Sequence, residues 1–95
     1  MASFQIAYCI FKQVLEFLKR PRGCNFNIAV AKDAQFTIKE TYEIVCKFFN
    51  CGVISSNVNE KDFNIIIQEG VHIDCRIKDE DGSLDVTLLC CELVD

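Results

Sequence analysis

Apolar residues recur at helical spacing near the start of the chain. Phe4, Ala7, Phe11, Val14 and Leu18 make one stripe, with Leu15 beside it. Phe4, Ile6, Tyr8 and Ile10 also alternate as a strand would, but the helical pattern persists longer. Ser3 can cap such a helix, Glu16 stands four residues before Arg20, and Pro21 and Gly23 stop it. The pattern predicts a helix over 4–20. Residues 24–31 then alternate, with Phe26, Ile28 and Val30 on one face and Asn25, Asn27 and Ala29 on the other, which predicts a strand.

The second helix has the clearest signature. Thr37 and Glu40 form a capping-box pattern, in which each side chain can accept from the other's free backbone N–H. Ile38, Tyr42, Val45 and Phe49 follow on one face, widened by Ile44 and Phe48, while Lys39, Glu43 and Lys47 face water. Gly52 is the expected stop, since glycine accepts the left-handed conformation that ends many helices.

From residue 53 onward the period is two. A short strand is expected at 53–56. Phe63, Ile65 and Ile67 alternate with Asn64, Ile66 and Gln68, and Gly70 marks a turn. Val71, Ile73, Cys75 and Ile77 alternate with His72, Asp74, Arg76 and Lys78. Asp81-Gly82 signals a hairpin before Leu84, Val86 and Leu88. The expected fold is a single α+β domain over 1–95 in the order α-β-α-β-β-β-β. Alternation with one polar face implies an antiparallel sheet of four to five strands with both helices on one side.

The 95-residue length fits one domain with one core. An apolar content of 51% and a charged content of 25% argue against disorder. No stretch reaches the roughly 18 apolar residues of a membrane span, and the start of the chain does not read as a signal peptide, so no membrane association is expected. Seven cysteines at irregular spacing argue against a disulfide framework and for small buried hydrophobes. That places the protein in a reducing compartment: cytoplasm, nucleus, or a host cell if the protein is viral. Net charge is −4, but residues 1–50 carry seven basic and four acidic side chains, whereas residues 51–95 carry three and ten. The acidic second half disfavours a phosphate-binding sheet.

Chemistry-bearing constellations are sparse. The closest cysteine pairs, Cys46/Cys51 and Cys90/Cys91, lack the C-x2-C spacing of structural zinc sites. His72, the only histidine, is three residues from Cys75, and positions three apart on a strand point to opposite faces. The run Asp79-Glu80-Asp81-Gly82 fails the EF-hand pattern at its first and last ligand positions, Ile77 and Leu88, and fits a solvated hairpin turn. There is no glycine-rich phosphate loop and no G-x-S-x-G elbow. No catalytic residue, metal site or cofactor is expected. Lys19, Arg20 and Arg22 cluster after the first helix, where cations suit the helix dipole and can also meet phosphate.

One stretch resembles part of a LAGLIDADG homing endonuclease repeat. It comprises Phe26-Asn27-Ile28-Ala29-Val30, the helix end Phe48-Phe49-Asn50-Cys51-Gly52-Val53-Ile54, and Phe63-Asn64-Ile65-Ile66. The match spans roughly 40 residues and lacks the family's signature helix with its metal-binding acidic residue. The resemblance therefore implies a non-catalytic remnant, with no catalytic residue carried over.

A well-patterned fold without a catalytic constellation points to a non-enzymatic module that binds another protein, as a subunit, adaptor or small viral or phage inhibitor. Ile66 and Leu89, each out of phase with the apolar face of its strand, are the candidate protein contacts. The alternative is a nucleic-acid-binding domain using Lys19, Arg20, Arg22 and Lys32. Neither reading fixes the oligomeric state, a homodimer included.

Overall fold

In the computed structural model, which describes residues 2–78 and 80–90, two helices cover one face of a five-stranded antiparallel sheet. The chain runs α1 (Ala2–Lys19), β1 (Cys24–Ile28), α2 (Ile38–Phe49), a 3-10 turn (Asn50–Gly52), β2 (Val53–Val58), β3 (Asp62–Ile67), β4 (Val71–Ile77) and β5 (Leu84–Cys90). This is the predicted α+β order. Strand boundaries shift by one to three residues; β1 ends at Ile28 rather than at residue 31, and β2 runs two residues past Ser56.

The strand order is β1-β5-β4-β3-β2. Strands β2 to β5 form a meander of hairpins, and β5 then pairs with the first strand in the register Cys24↔Leu88 to Ile28↔Leu84. Each hairpin closes by local chemistry. The Asn59 carboxamide oxygen accepts from the backbone N–H groups of Lys61 and Asp62 at 2.9 and 3.0 Å. Gly70 and Gly82 take φ of 81° and 72°, which an L side chain adopts only under strain. The acidic run is a turn as expected: Asp81 Oδ1 accepts from the Ser83 N–H at 2.9 Å and from its hydroxyl at 2.7 Å, while Asp79 lies outside the described residues.

The core lies between the helices and the inner face of the sheet. Phe63, Ile65, Ile67, Val71, Ile73, Cys75, Leu84, Val86 and Leu88 line that face and are buried. They are the period-two residues of the sequence pattern.

The second helix meets the core through its predicted face, whereas α1 uses a stripe that shares only Ala7 and Val14 with the predicted one. On α1 the buried residues are Ser3, Ile6, Ala7, Ile10, Val14 and Phe17. Phe4 and Leu15 are instead 50% and 43% exposed, and Phe11 and Leu18 are partly buried. Apolar residues occupy two adjacent faces of α1, so periodicity alone could not choose the inward one. On α2 the buried set is Ile38, Thr41 and Val45, with Tyr42 and Phe49 only partly covered. Thr41 was missed because its hydroxyl reads as polar; it is satisfied locally, donating to the Thr37 carbonyl at 2.9 Å.

Both helix ends of α2 depart from the predicted caps. Thr37 Oγ1 accepts from the Glu40 N–H at 3.0 Å, which is half of the capping box. The Thr37 N–H goes not to Glu40 but to the buried Ser3 hydroxyl of α1 at 3.3 Å. Ser3 therefore ties the two helices together instead of capping its own. At the other end, Asn50 and not Gly52 takes the positive φ, 50°, and its N–H reaches the carbonyls of Cys46 and Lys47.

Candidate functional site

The sheet's open face is polar. Alternation along each strand sends Asn25, Asn27, Asn57, Asp62, Asn64, Asp74, Arg76, Asp85 and Thr87 outward. Asn25 donates to Thr87 Oγ1 at 2.7 Å, and the Arg76 guanidinium lies 3.8 Å from the Asp85 carboxylate. Three aspartates against one arginine make this face unattractive to phosphate.

One cross-strand row on that face is different. Ile66 pairs with His72, and His72 pairs with Leu89. The two candidate protein contacts, 23 positions apart in sequence, thus flank a single histidine. Leu89 is 45% exposed, and Ile66 is partly covered. Leu89 also packs close to the Gly23 backbone, where an added Cβ would lie 3.4 Å from its Cδ2.

The basic candidates do not converge. Lys19 is exposed and ion-paired with Glu16 at 3.3 Å. Arg20 and Arg22 border a shallow depression with Gln13, Glu16, Phe17 and Asn25 at the C-terminal end of α1. Lys32 lies at the other end of α1, on the loop whose Ala31 and Ala34 border Ala2. An 18-residue helix separates the two locations by about 27 Å.

The largest cluster of uncovered apolar side chains is on the helical layer. Phe4 and Tyr8, one turn apart on α1, stack with ring centroids 6.4 Å apart and are 50% and 47% exposed. Phe48 of α2 packs against both, at 5.8 and 6.2 Å, and stacks on Phe11 at 4.8 Å. Phe49 meets the Phe11 ring edge-on at 5.4 Å. The Lys12 ammonium sits 5.7 Å from the Tyr8 ring centre, a cation–π contact at the border of the cluster. The sequence pattern assigned Phe4 and Phe11 to the core, and so missed this surface. The signal that could have found it was the surplus: α1 carries more large apolar residues than one inward face can hold.

The described residues offer little for catalysis or metal binding. Cys75 is buried on the inner face and His72 is on the outer one, so the pair is separated by the sheet. Burial, reinforced by Asp74, Asp85 and Asp62, pushes the Cys75 thiol up to about 12, far from the range of a nucleophile. Burial also raises the Cys46 thiol, against a lowering contact from Tyr42. The six described cysteines are unpaired, and Cys91 lies outside the described residues. No group of three or more His, Cys, Asp or Glu side chains converges among the described residues. The surface depressions are shallow; one, between the start of α1 and the end of β1 with the segment after it, is lined by Ile6, Ile28 and Val30, with Gln5 the one polar side chain among the described residues. No described helix is long and apolar enough to cross a membrane.

No protein-family model matches the chain, and no curated protein or solved structure matches it.

Proposed function

We propose that this α+β domain is a non-enzymatic module that binds another protein, and that the helical layer supplies the main contact. The observation that carries this reading is the exposed aromatic cluster, with Phe4 and Tyr8 half uncovered and braced by Phe48. Folding gains little from aromatic surface left in water, so such a cluster is better accounted for by a contact surface than by the domain's own stability. Aromatic anchors held by their neighbours lose little side-chain entropy on association, which is why they dominate binding energy in protein interfaces. The row Ile66–His72–Leu89 on the opposite face is a smaller second surface.

The test places a photo-crosslinking amino acid at Tyr8, and separately at Asn64 on the polar face, in cells that make the protein. A discrete protein adduct from Tyr8, absent from Asn64, is expected. The partner so identified, once purified, should bind the full chain and lose at least about tenfold in affinity on Phe4→Ser/Tyr8→Ser, as for hot-spot aromatics. Salt-sensitive nucleic-acid binding that survives this double change but disappears on replacing Lys19, Arg20 and Arg22 together would refute the reading.

A further inference from the structure

We infer that the free edge of β1 receives an extended segment of another protein, added antiparallel as a sixth strand and carrying acidic side chains at its C-terminal end. This contact is separate from the aromatic cluster and uses none of its residues. Its basis is the hydrogen-bond ladder. Ile77 donates its N–H to Lys61 on the β3 side at 2.9 Å, and Lys78 donates to Ser83 on the β5 side at 2.8 Å. Antiparallel ladders alternate in this way, so Arg76 and Asp74 bond to their partners Asp85 and Thr87. Leu84, Val86 and Leu88 then turn their backbone groups to β1, where they meet Ile28, Phe26 and Cys24. Asn25 and Asn27 keep their N–H and C=O on the outer edge, and both residues are exposed. Among the described strands only β5 borders β1. Free backbone groups at this spacing are met by another extended chain. The opposite edge is less open. There β2 shifts register between Val53 and Ser55, and such a bulge twists an edge away from pairing. β1 keeps an unbroken register, and none of its residues is charged or proline.

The first helix borders this edge. Gln5 and Ile6 of α1 meet Ile28 and Ala29 in one depression, and Gln13 and Glu16 meet Cys24 and Asn25 in another. Helix and strand therefore run antiparallel, with a depression at each end of β1. Cys24, Phe26 and Ile28 share the inner face with their β5 partners, yet they are only partly covered, whereas Leu84, Val86 and Leu88 are fully buried. Alternate apolar side chains of an added strand would complete that cover, and the polar ones between them would join Asn25 and Asn27 on the open face. Charge sets the direction. Arg20 and Arg22 line the depression at the Cys24 end. Both are exposed and neither is in an ion pair among the described residues, while Glu16 beside them is paired with Lys19. A strand antiparallel to β1 ends there, so carboxylates near its C-terminal end meet two free cations. The same cations disfavour a second copy of the chain. Pairing β1 with itself about Phe26 would set Arg20 of each copy against Lys32 of the other.

The test uses end-capped peptides of about seven residues, long enough to span β1. Each alternates Val and Thr; one carries two Glu at its C-terminal end and the other carries them at its N-terminal end. Both are titrated into the isotope-labelled full chain by NMR. The peptide with C-terminal Glu should bind about fivefold more tightly, as expected for two exposed charge contacts. Its binding should slow hydrogen exchange at the Asn25 and Asn27 amides. Arg20→Glu/Arg22→Glu should reverse the preference between the two peptides. Asn27→Pro removes an outward N–H, a place where an edge strand tolerates proline, and should abolish binding with the fold intact. Should that variant unfold, N-methylation of the peptide at alternate residues gives the same test from the other side. Methylation in one phase should weaken binding at least about tenfold, and in the other phase far less, since only alternate amides face β1. Equal affinity for the two peptides, equal effects of the two methylation phases, protection at β2 instead of β1, or dimerisation of the chain through β1 would overturn the inference. The crosslinking experiment at Tyr8 reads the helical layer, so a missing adduct there would count against the aromatic contact and leave the β1 result standing.

Discussion

The two faces of α1 should respond differently to truncation. Ile10 is fully buried in the core, whereas Phe4 is half exposed. Ile10→Ala removes buried carbons and leaves a void, which costs about 3 kcal/mol. Phe4→Ala removes a larger side chain, but half of it is already in water. Half of a buried phenylalanine's transfer energy is about 1 kcal/mol. The ring contacts with Tyr8 and Phe48 add a fraction of their usual worth, and the better helix propensity of alanine offsets about 0.5 kcal/mol. The net cost should be about 1 kcal/mol. A 95-residue domain has a total stability of about 5–14 kcal/mol, so the two variants are easily told apart. Urea unfolding followed by far-ultraviolet circular dichroism measures both. With a slope of about 1.5 kcal/mol/M, Ile10→Ala should lower the midpoint by about 2 M and Phe4→Ala by less than about 1 M. A larger loss for Phe4→Ala than for Ile10→Ala would mean that the Phe4 stripe faces inward and that the exposed aromatic surface does not exist.

Ser3→Ala should cost about 1–2 kcal/mol in the same assay, because it leaves the Thr37 N–H without its acceptor in a partly buried position; no effect would mean that water replaces the hydroxyl. Cys75 should resist alkylation at pH 8 in the native protein while Cys51 and Cys90 react, as peptide mapping by mass spectrometry can check. Labelling of Cys75 as fast as of Cys51 would contradict its burial. The Asp81 carboxyl is held below its usual value first by the Ser83 hydroxyl and then by the Ser83 N–H. A depressed folded value gives stabilisation that is present above the unfolded value of about 3.9 and is lost as pH falls through the folded one. Asp81→Asn should therefore remove part of the stability difference between neutral and strongly acidic pH, and an unchanged pH profile would show that the turn does not hold the charged form.

The sequence by itself determined the element order, the inner face of the sheet and the hairpin turns. These depend on local facts. A period of two with one polar face leaves only one way to bury Phe63, Ile65, Ile67, Ile73, Cys75, Leu84, Val86 and Leu88, since a slip of one residue would expose them all. Gly70 and Gly82 mark turns closed by atoms a few residues away, and Asn59, which the pattern did not single out, closes its turn in the same local way. Tertiary structure decided what depends on a distant partner. Insertion of β5 between β1 and β4 brought the first and last strands together, and β4 set Ile66 and Leu89 on either side of His72. The Thr37 N–H had an acceptor in Glu40 by spacing, and took Ser3 because α1 packs against the start of α2. The largest change was on α1 itself. Its apolar residues cover two faces, and both stripes satisfy helical periodicity equally well. Only the position of the sheet and of α2 determines that Ile6, Ile10 and Phe17 turn inward, leaving Phe4, Tyr8 and Leu15 to the surface. A helix's rotation about its own axis is fixed by what it packs against, and that partner is not encoded within the helix.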